Sequence, residues 1–66
     1  MTAERRELNA RERQIVVYLA DGLSNKGIAR RLGITHHTVK FHLKNVFSKL
    51  QVSSRGDAVA KLTANN

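Results

Sequence analysis

Apolar residues recur at helical spacing in four segments of the chain, and no segment shows the strong alternation that is typical of a half-buried strand. The clearest segment spans residues 36–50, where apolar residues fall at i, i+4, i+7, i+8 and i+11 and so line one face of a helix. These residues are Val39, Leu43, Val46, Phe47 and Leu50. The pattern predicts an all-α chain whose third helix has a long buried stripe.

Capping residues set the limits of the predicted helices, which cover about residues 10–20, 25–32, 36–50 and 55–63. The expected N-caps are Asn9, Ser24, Thr35 and Ser54. Glu12 stands three residues after Asn9 and can complete a capping box, and we expect it to cap or to pair with a nearby arginine rather than to do chemistry. Gly22 and Gly33 suit the ends of the first two helices.

The length of 66 residues allows one small domain and no second core. The predicted organisation is a flexible N-terminal stub or linker at residues 1–7, a compact four-helix domain at 8–63 and a frayed tail at 64–66. The second and third helices are joined by the short, glycine-containing turn LGIT. This arrangement is typical of a helix-turn-helix, although many helical hairpins of these lengths bind nothing.

Positive charge is concentrated in the middle of the chain. Twelve Lys and Arg against five Asp and Glu give a net charge of +7, and no acidic residue lies between Gly22 and Gly56. The basic residues of that segment are Lys26, Arg30, Arg31, Lys40, Lys44, Lys49 and Arg55. Such a one-sided distribution favours an anionic partner, and a merely solubilising surface is the alternative.

Several classes of function find no support in the sequence. The chain has no cysteine, and none of its three histidines forms the i, i+4 pair that holds zinc on a helix, so we expect no metal and no cofactor. Paired carboxylates at useful spacing and a glycine-rich phosphate loop are also lacking, so we do not expect an enzyme. The longest apolar run, residues 15–20, is too short for a membrane span, and a cytoplasmic location is expected.

A family resemblance emerges when these pieces are taken in order. The segments GLSNKGIARRLGI, TVKFHLKN, KL and VSSRGDAV, preceded by RE in the first helix, resemble the DNA-binding domain of LuxR/FixJ-type (GerE-like) transcription regulators between about Leu8 and Leu62. The resemblance implies a bacterial transcription regulator whose third helix enters the DNA major groove. It also implies an output domain downstream of a sensor or receiver domain, such as that of a response regulator, and dimerisation through the fourth helix.

Three positions depart from the family pattern, of which Asn9, in place of the usual Thr or Ser, should cap equally well. Gly27 stands where a larger polar residue is common, which removes a capping partner of Ser24 and weakens the second helix by up to about 1 kcal/mol. Gln51 occupies a position where glycine is common, and it is strained if the backbone there is left-handed.

Phe41 lies nearly opposite the apolar stripe of the third helix, because each residue turns the helix by about 100°. Its companions on that face are His37, Lys44, Asn45 and Ser48, with Thr38 and Lys40 on the flanks. By the resemblance, Lys40, Phe41 and Lys44 face the groove: the two lysines toward guanine O6 and N7, the phenyl ring toward thymine methyl groups. The alternative is an isolated apolar residue on the surface.

Other residues are expected to meet phosphates or a second copy of the chain. The candidate phosphate contacts are Lys26, Thr35, Thr38, His42, Asn45 and Arg55, of which Arg55 is the weakest. The candidate dimer face is formed by Asp57, Ala60, Lys61 and Ala64. This face is small and polar, so we expect a homodimer that is weak without DNA and that reads inverted repeats.

The expected partner is therefore double-stranded DNA, with RNA polymerase as a further candidate and no membrane. A domain of this kind would lie in the bacterial cytoplasm and on the nucleoid when bound. A protein-interaction module anchored by Phe41 is the first alternative. RNA binding is a second, which the small number of aromatic residues disfavours.

Overall fold

The structure of the protein, a computed structural model, describes residues 7–64. This part of the chain forms four α-helices and no β-strand. They are α1 (Ala10–Ala20), α2 (Asn25–Leu32), α3 (His36–Leu50) and α4 (Arg55–Ala64). The all-α, four-helix prediction is confirmed. The proposed N-terminal stub and tail lie outside the described residues except for Glu7 and Ala64, and Ala64 is the last residue of α4 rather than part of a tail.

Side-chain caps begin the helices at the predicted residues. At α1 the capping box is complete, since Glu12 N–H donates to Asn9 Oδ1 (2.8 Å) and Asn9 N–H donates to Glu12 Oε1 (3.0 Å). The hydroxyls of Ser24, Thr35 and Ser54 accept from the backbone N–H three residues later at 3.1, 3.2 and 3.0 Å. Each cap satisfies an N–H that has no partner within its own helix.

Left-handed residues end α2 and α3. Gly33 follows α2 with φ 69° and ψ 33°, and Gln51 follows α3 with φ 60° and ψ 47°. Gly22 also has a positive φ of 89° in the turn after α1. The conditional expectation for Gln51 is therefore met, because a non-glycine residue occupies a conformation that favours glycine.

The buried core lies along one face of α3, which contacts each of the other three helices. Its fully or nearly buried apolar residues are Ile15, Leu19, Ile28, Ala29, Val39, Leu43, Val46 and Ala58. Because this packing uses one stripe of α3, the opposite stripe is left on the surface.

One charged residue is buried among the described residues. The side chain of Glu12 is only 2% exposed, and its Oε1 lies 2.7 Å from Lys49 Nζ. The expected cap is confirmed, but the ionic partner is this lysine of α3 rather than an arginine. Burial by itself would raise the pKa of Glu12. The hydrogen bonds from Lys49 and from the Asn9 backbone, and the nearby charges of Lys49 and His42, outweigh burial and lower it.

Candidate nucleic-acid interface

The outward face of α3 carries an exposed stripe opposite the buried one. His37, Phe41, Lys44 and Ser48 follow one another at i, i+4, i+7 and i+11, and all are exposed. Phe41 is 62% exposed, one of the two large apolar side chains among residues 7–64 that reach the surface to this extent. The predicted base contacts Phe41 and Lys44 therefore share this stripe, and Lys40, also exposed, lies beside it.

His37 lies on the same stripe, one turn before Phe41, and is not among the contacts that the sequence predicts. The signal was available, since a spacing of four residues places the two side chains on one face. The rings of His36 and His37 are 4.2 Å apart at their centroids and tilted by 31°. Both rings stand exposed at the first turn of α3.

The Phe41 ring is not isolated on this surface. Its centroid lies 5.5 Å from that of His42, and the two rings meet edge to face at 68°. His42 is half-buried and close enough to Glu12 for its charge to favour the ionised carboxylate. One side of the phenyl ring is thus supported, while most of its surface remains open to solvent.

Two hydroxyls lie at the start of α3. Thr35 Oγ1 caps the helix by accepting from Thr38 N–H, and the two threonine hydroxyls are 3.0 Å apart. Thr35 is exposed and Thr38 half-buried. Hydroxyl groups at the positive end of a helix dipole are suited to an anion such as a phosphate.

The start of α2 presents Lys26, which is exposed in a first turn that contains no acidic residue. Arg55, the first residue of α4, lies beside the start of α2. Its Nη1 donates to Asn25 Oδ1 (3.0 Å), and its Nη2 donates to the backbone carbonyl of Leu23. The arginine is half-buried and engaged within the chain, which gives it a structural function besides any contact with phosphate.

The remaining predicted residues fall into two places. Asn45 is half-buried on α3, one position from Lys44. The proposed dimer residues Asp57, Ala60, Lys61 and Ala64 are all exposed at i, i+3, i+4 and i+7 of α4. Lys61 also donates from Nζ to the carbonyl of Leu50 (2.7 Å), so it joins α4 to the end of α3.

The surface of α2 and α3 carries positive charge only. Neither helix contains an acidic residue, and Glu12, which lies against α3, is buried and paired. Within residues 7–64 no group of three or more His, Cys, Asp or Glu is placed to hold a metal ion. In the same range, no helix has both the length and the apolar character needed to cross a membrane.

A family model described as bacterial regulatory proteins, luxR family, matches residues 6–62. The chain is similar to the probable transcriptional regulatory protein SgaR of Hyphomicrobium methylovorum, with 55% identity over 53 residues, or 80% of this chain and 25% of that protein. It is 50% identical over 52 residues to the nitrate/nitrite response regulator protein NarL of Escherichia coli (strain K12), or 79% of this chain and 24% of that protein.

A third relative is the monoamine regulon transcriptional regulator of Klebsiella aerogenes, which is 48% identical over 54 residues, or 82% of this chain and 24% of that protein. The chain thus spans about a quarter of the length of each of these three relatives. The family match covers most of the chain and includes the helix-turn-helix formed by α2 and α3. The chain therefore belongs to the luxR family of bacterial regulatory proteins, as a DNA-binding domain of transcription regulators.

Proposed function

We propose that this domain binds double-stranded DNA sequence-specifically, with the outward face of α3 in the major groove. The observation that carries the proposal is Phe41, a large apolar side chain exposed on the acid-free face of the second helix of a helix-turn-helix. The major groove admits one α-helix and displays thymine methyl groups beside hydrogen-bonding base edges. A phenyl ring with two lysines on the same side of the helix matches that mixture of apolar and acceptor groups.

The base contacts follow from the positions on α3. Lys40 and Lys44 are four residues apart, which is about 6 Å along the helix axis. That distance corresponds to about two base-pair steps. Each lysine donates to guanine O6 or N7, and Phe41, which shares the exposed stripe with Lys44, lies against a thymine methyl group.

Phosphate contacts position the helix without reading sequence. We assign them to Lys26, Thr35, Thr38, His42 and Asn45, whereas the guanidinium of Arg55 is engaged with Asn25 and Leu23. Lys26 and Thr35 are exposed at the starts of α2 and α3, where backbone N–H groups and the helix dipole also favour an anion. Each charged contact adds about 0.9 to the dependence of log affinity on log salt concentration.

Two copies are proposed to bind an inverted repeat through the exposed face of α4. Two half-sites about 34 Å apart would place both α3 helices on one side of the duplex. The four residues of that face are small or polar, so the pair forms on DNA and is weak in solution. We further propose that the domain is the output part of a longer regulator in the bacterial cytoplasm, at the nucleoid when bound, with RNA polymerase as a further partner.

The test is in vitro selection from a randomised duplex pool at near-physiological salt, with the 66-residue chain. An enriched motif supports base reading by this domain, and a symmetric motif supports two copies. Binding without enrichment would contradict sequence specificity and leave only phosphate attraction. Absence of binding would contradict DNA recognition, and it would favour the second candidate, a protein-interaction module in which exposed Phe41 is the anchor.

A further inference from the structure

Arg55 connects α4 to the start of α2 across a large distance in sequence. Its two donors reach Asn25 and Leu23, which lie 30 and 32 residues earlier in the chain. These two residues flank Ser24, the N-cap of α2. The guanidinium therefore holds the chain on both sides of the residue that begins the helix.

The start of α2 has little local stabilisation of its own. Ser24 Oγ accepts from Gly27 N–H, but Gly27 has no side chain with which to return a hydrogen bond. The first turn contains no acidic residue to offset the helix dipole. A helix of eight residues is also too short to be stable by itself, so its start depends on tertiary contacts such as those of Arg55.

We propose that Arg55 is a positioning residue for DNA binding: it fixes the start of α2 so that Lys26 and the adjacent N–H groups meet a phosphate. This inference rests on the proposed DNA-binding function. Lys26 follows Asn25 directly, so the hydrogen bond from Arg55 acts one residue away from the proposed contact. Arg55 acts through Asn25 and Leu23, not through a phosphate of its own.

The geometry requires arginine rather than any cation. A guanidinium presents several N–H groups in a rigid planar fork, which can reach a side-chain oxygen and a carbonyl together. A lysine ammonium at this position keeps the charge but cannot span both acceptors in the same way. Substitution by lysine therefore separates the positioning effect from the effect of charge.

The experiment measures affinity for a random-sequence duplex over a range of salt concentrations, with Arg55→Lys, Asn25→Ala and the double variant. We expect each single variant to bind about fivefold more weakly, equivalent to one net hydrogen bond. The double variant should bind no more than slightly more weakly than either single variant, because both substitutions remove the hydrogen bond between Arg55 and Asn25. Arg30→Lys, the same change at an exposed position of α2, is the matched control and should bind normally.

A second readout connects Arg55 to Lys26. In the original chain, Lys26→Ala should reduce the salt dependence by about 0.9. In the Arg55→Lys background, Lys26→Ala should reduce the salt dependence of binding by clearly less, because Lys26 is no longer held against the phosphate. Circular dichroism at the binding temperature would check that every variant is folded.

Three results would overturn the inference. Full affinity in both Arg55→Lys and Asn25→Ala would mean that Arg55 supplies only its charge. Lower melting temperatures with unchanged affinity of the folded variants would mean that the contact serves stability alone. If the original chain itself does not bind DNA, the proposed function fails and this inference with it, whereas normal binding by the original chain confines the failure to Arg55.

Discussion

Gln51 has a backbone conformation that costs an L-residue about 1 kcal/mol or more and costs glycine nothing sterically. We therefore predict that Gln51→Gly raises the free energy of unfolding by about 0.5–1 kcal/mol, with part of the gain offset by the greater freedom of unfolded glycine. Urea denaturation followed by circular dichroism would measure it. A decrease in stability would mean that the contacts of the glutamine side chain outweigh the strain.

Gly33 provides the matched control for that change. It ends α2 in nearly the same conformation, and a Cβ added there would meet no atom within 4 Å. Gly33→Ala should therefore lower the free energy of unfolding by about 1 kcal/mol through backbone strain alone. The two substitutions are expected to act in opposite directions at equivalent positions.

Phe41→Ala tests base reading at a single side chain. Removing the ring should lower affinity for the selected site by about 1–3 kcal/mol, as for the loss of one good base contact, and leave affinity for random duplex nearly unchanged. Competition binding against both duplexes would measure this. Ser48→Ala, on the same stripe but nearer the end of α3, serves as the control. Equal losses on both duplexes would remove Phe41 from the base contacts.

Lys26→Ala tests a phosphate contact. The lysine carries no base-reading role in our proposal, so its loss should weaken binding to all sequences alike and lower the salt dependence by roughly one unit. Titrations at four or more salt concentrations would give the slope. An unchanged slope would exclude Lys26 as a phosphate contact.

The exposure of Phe41 was predictable at this scale because it depends only on a rotation of about 100° per residue. The partners of Arg55 and Glu12 were not. Lys49 is 37 residues from Glu12, and Arg55 is 30 residues from Asn25, so neither pair leaves a trace in local periodicity. The charge of Arg55 is visible in the sequence, whereas its hydrogen bonds to Asn25 and Leu23 depend on where the tertiary fold places the start of α4.

At the scale of helices, the bounds were predictable because side-chain caps specify them within a few residues of sequence. The starts of α1, α2 and α3 fall after Asn9, Ser24 and Thr35 as expected. The predicted end of α4 lies one residue before the observed end at Ala64, because no glycine or other stop signal follows Thr63 directly. Terminal residues of helices are the ones for which local sequence says least.

The Glu12–Lys49 pair joins α1 to α3. Protonation of the Glu12 carboxyl should therefore change the free energy of unfolding of the whole domain. The folded carboxyl has a lowered pKa and therefore binds its proton less readily than in the unfolded chain. The stabilisation that results from the lowered pKa is complete when the pH is above the ordinary carboxyl pKa of 4.5. It is lost as the pH falls through the lower pKa of the folded state.

Glu12→Gln keeps an oxygen for the cap but removes the charge. We predict a loss of about 1–3 kcal/mol at neutral pH, because Lys49 loses its charged partner. The variant should also show a shallower loss of stability than the original chain between about pH 5 and pH 3. Denaturation curves across that range would measure both effects, and parallel pH profiles would contradict the assignment to Glu12.

At the scale of the whole molecule, a net charge of +7 on 66 residues opposes self-association and favours a polyanion. We expect a monomer at micromolar concentration in analytical ultracentrifugation and two bound copies on an inverted-repeat duplex. A stable dimer without DNA would contradict the proposed weakness of the α4 face.

Ala60→Arg places a long, charged side chain in the middle of that face. It should lower affinity for an inverted repeat and leave affinity for a single half-site unchanged, because only the contact between copies is disturbed. Thr63→Arg, also exposed on α4, adds the same charge beside the proposed face and controls for simple attraction to DNA. Equal effects of Ala60→Arg on both duplexes would argue against dimerisation through α4.

The separation of the two faces of α3 has an evolutionary consequence. Val39, Leu43 and Val46 face inward and maintain the fold, while Phe41, Lys44 and Ser48 stand on the other side. Substitutions at exposed positions usually change stability by no more than about 0.5 kcal/mol. After a gene duplication, one copy could exchange its outward side chains and acquire new promoter targets, while the inward ones preserve a foldable scaffold.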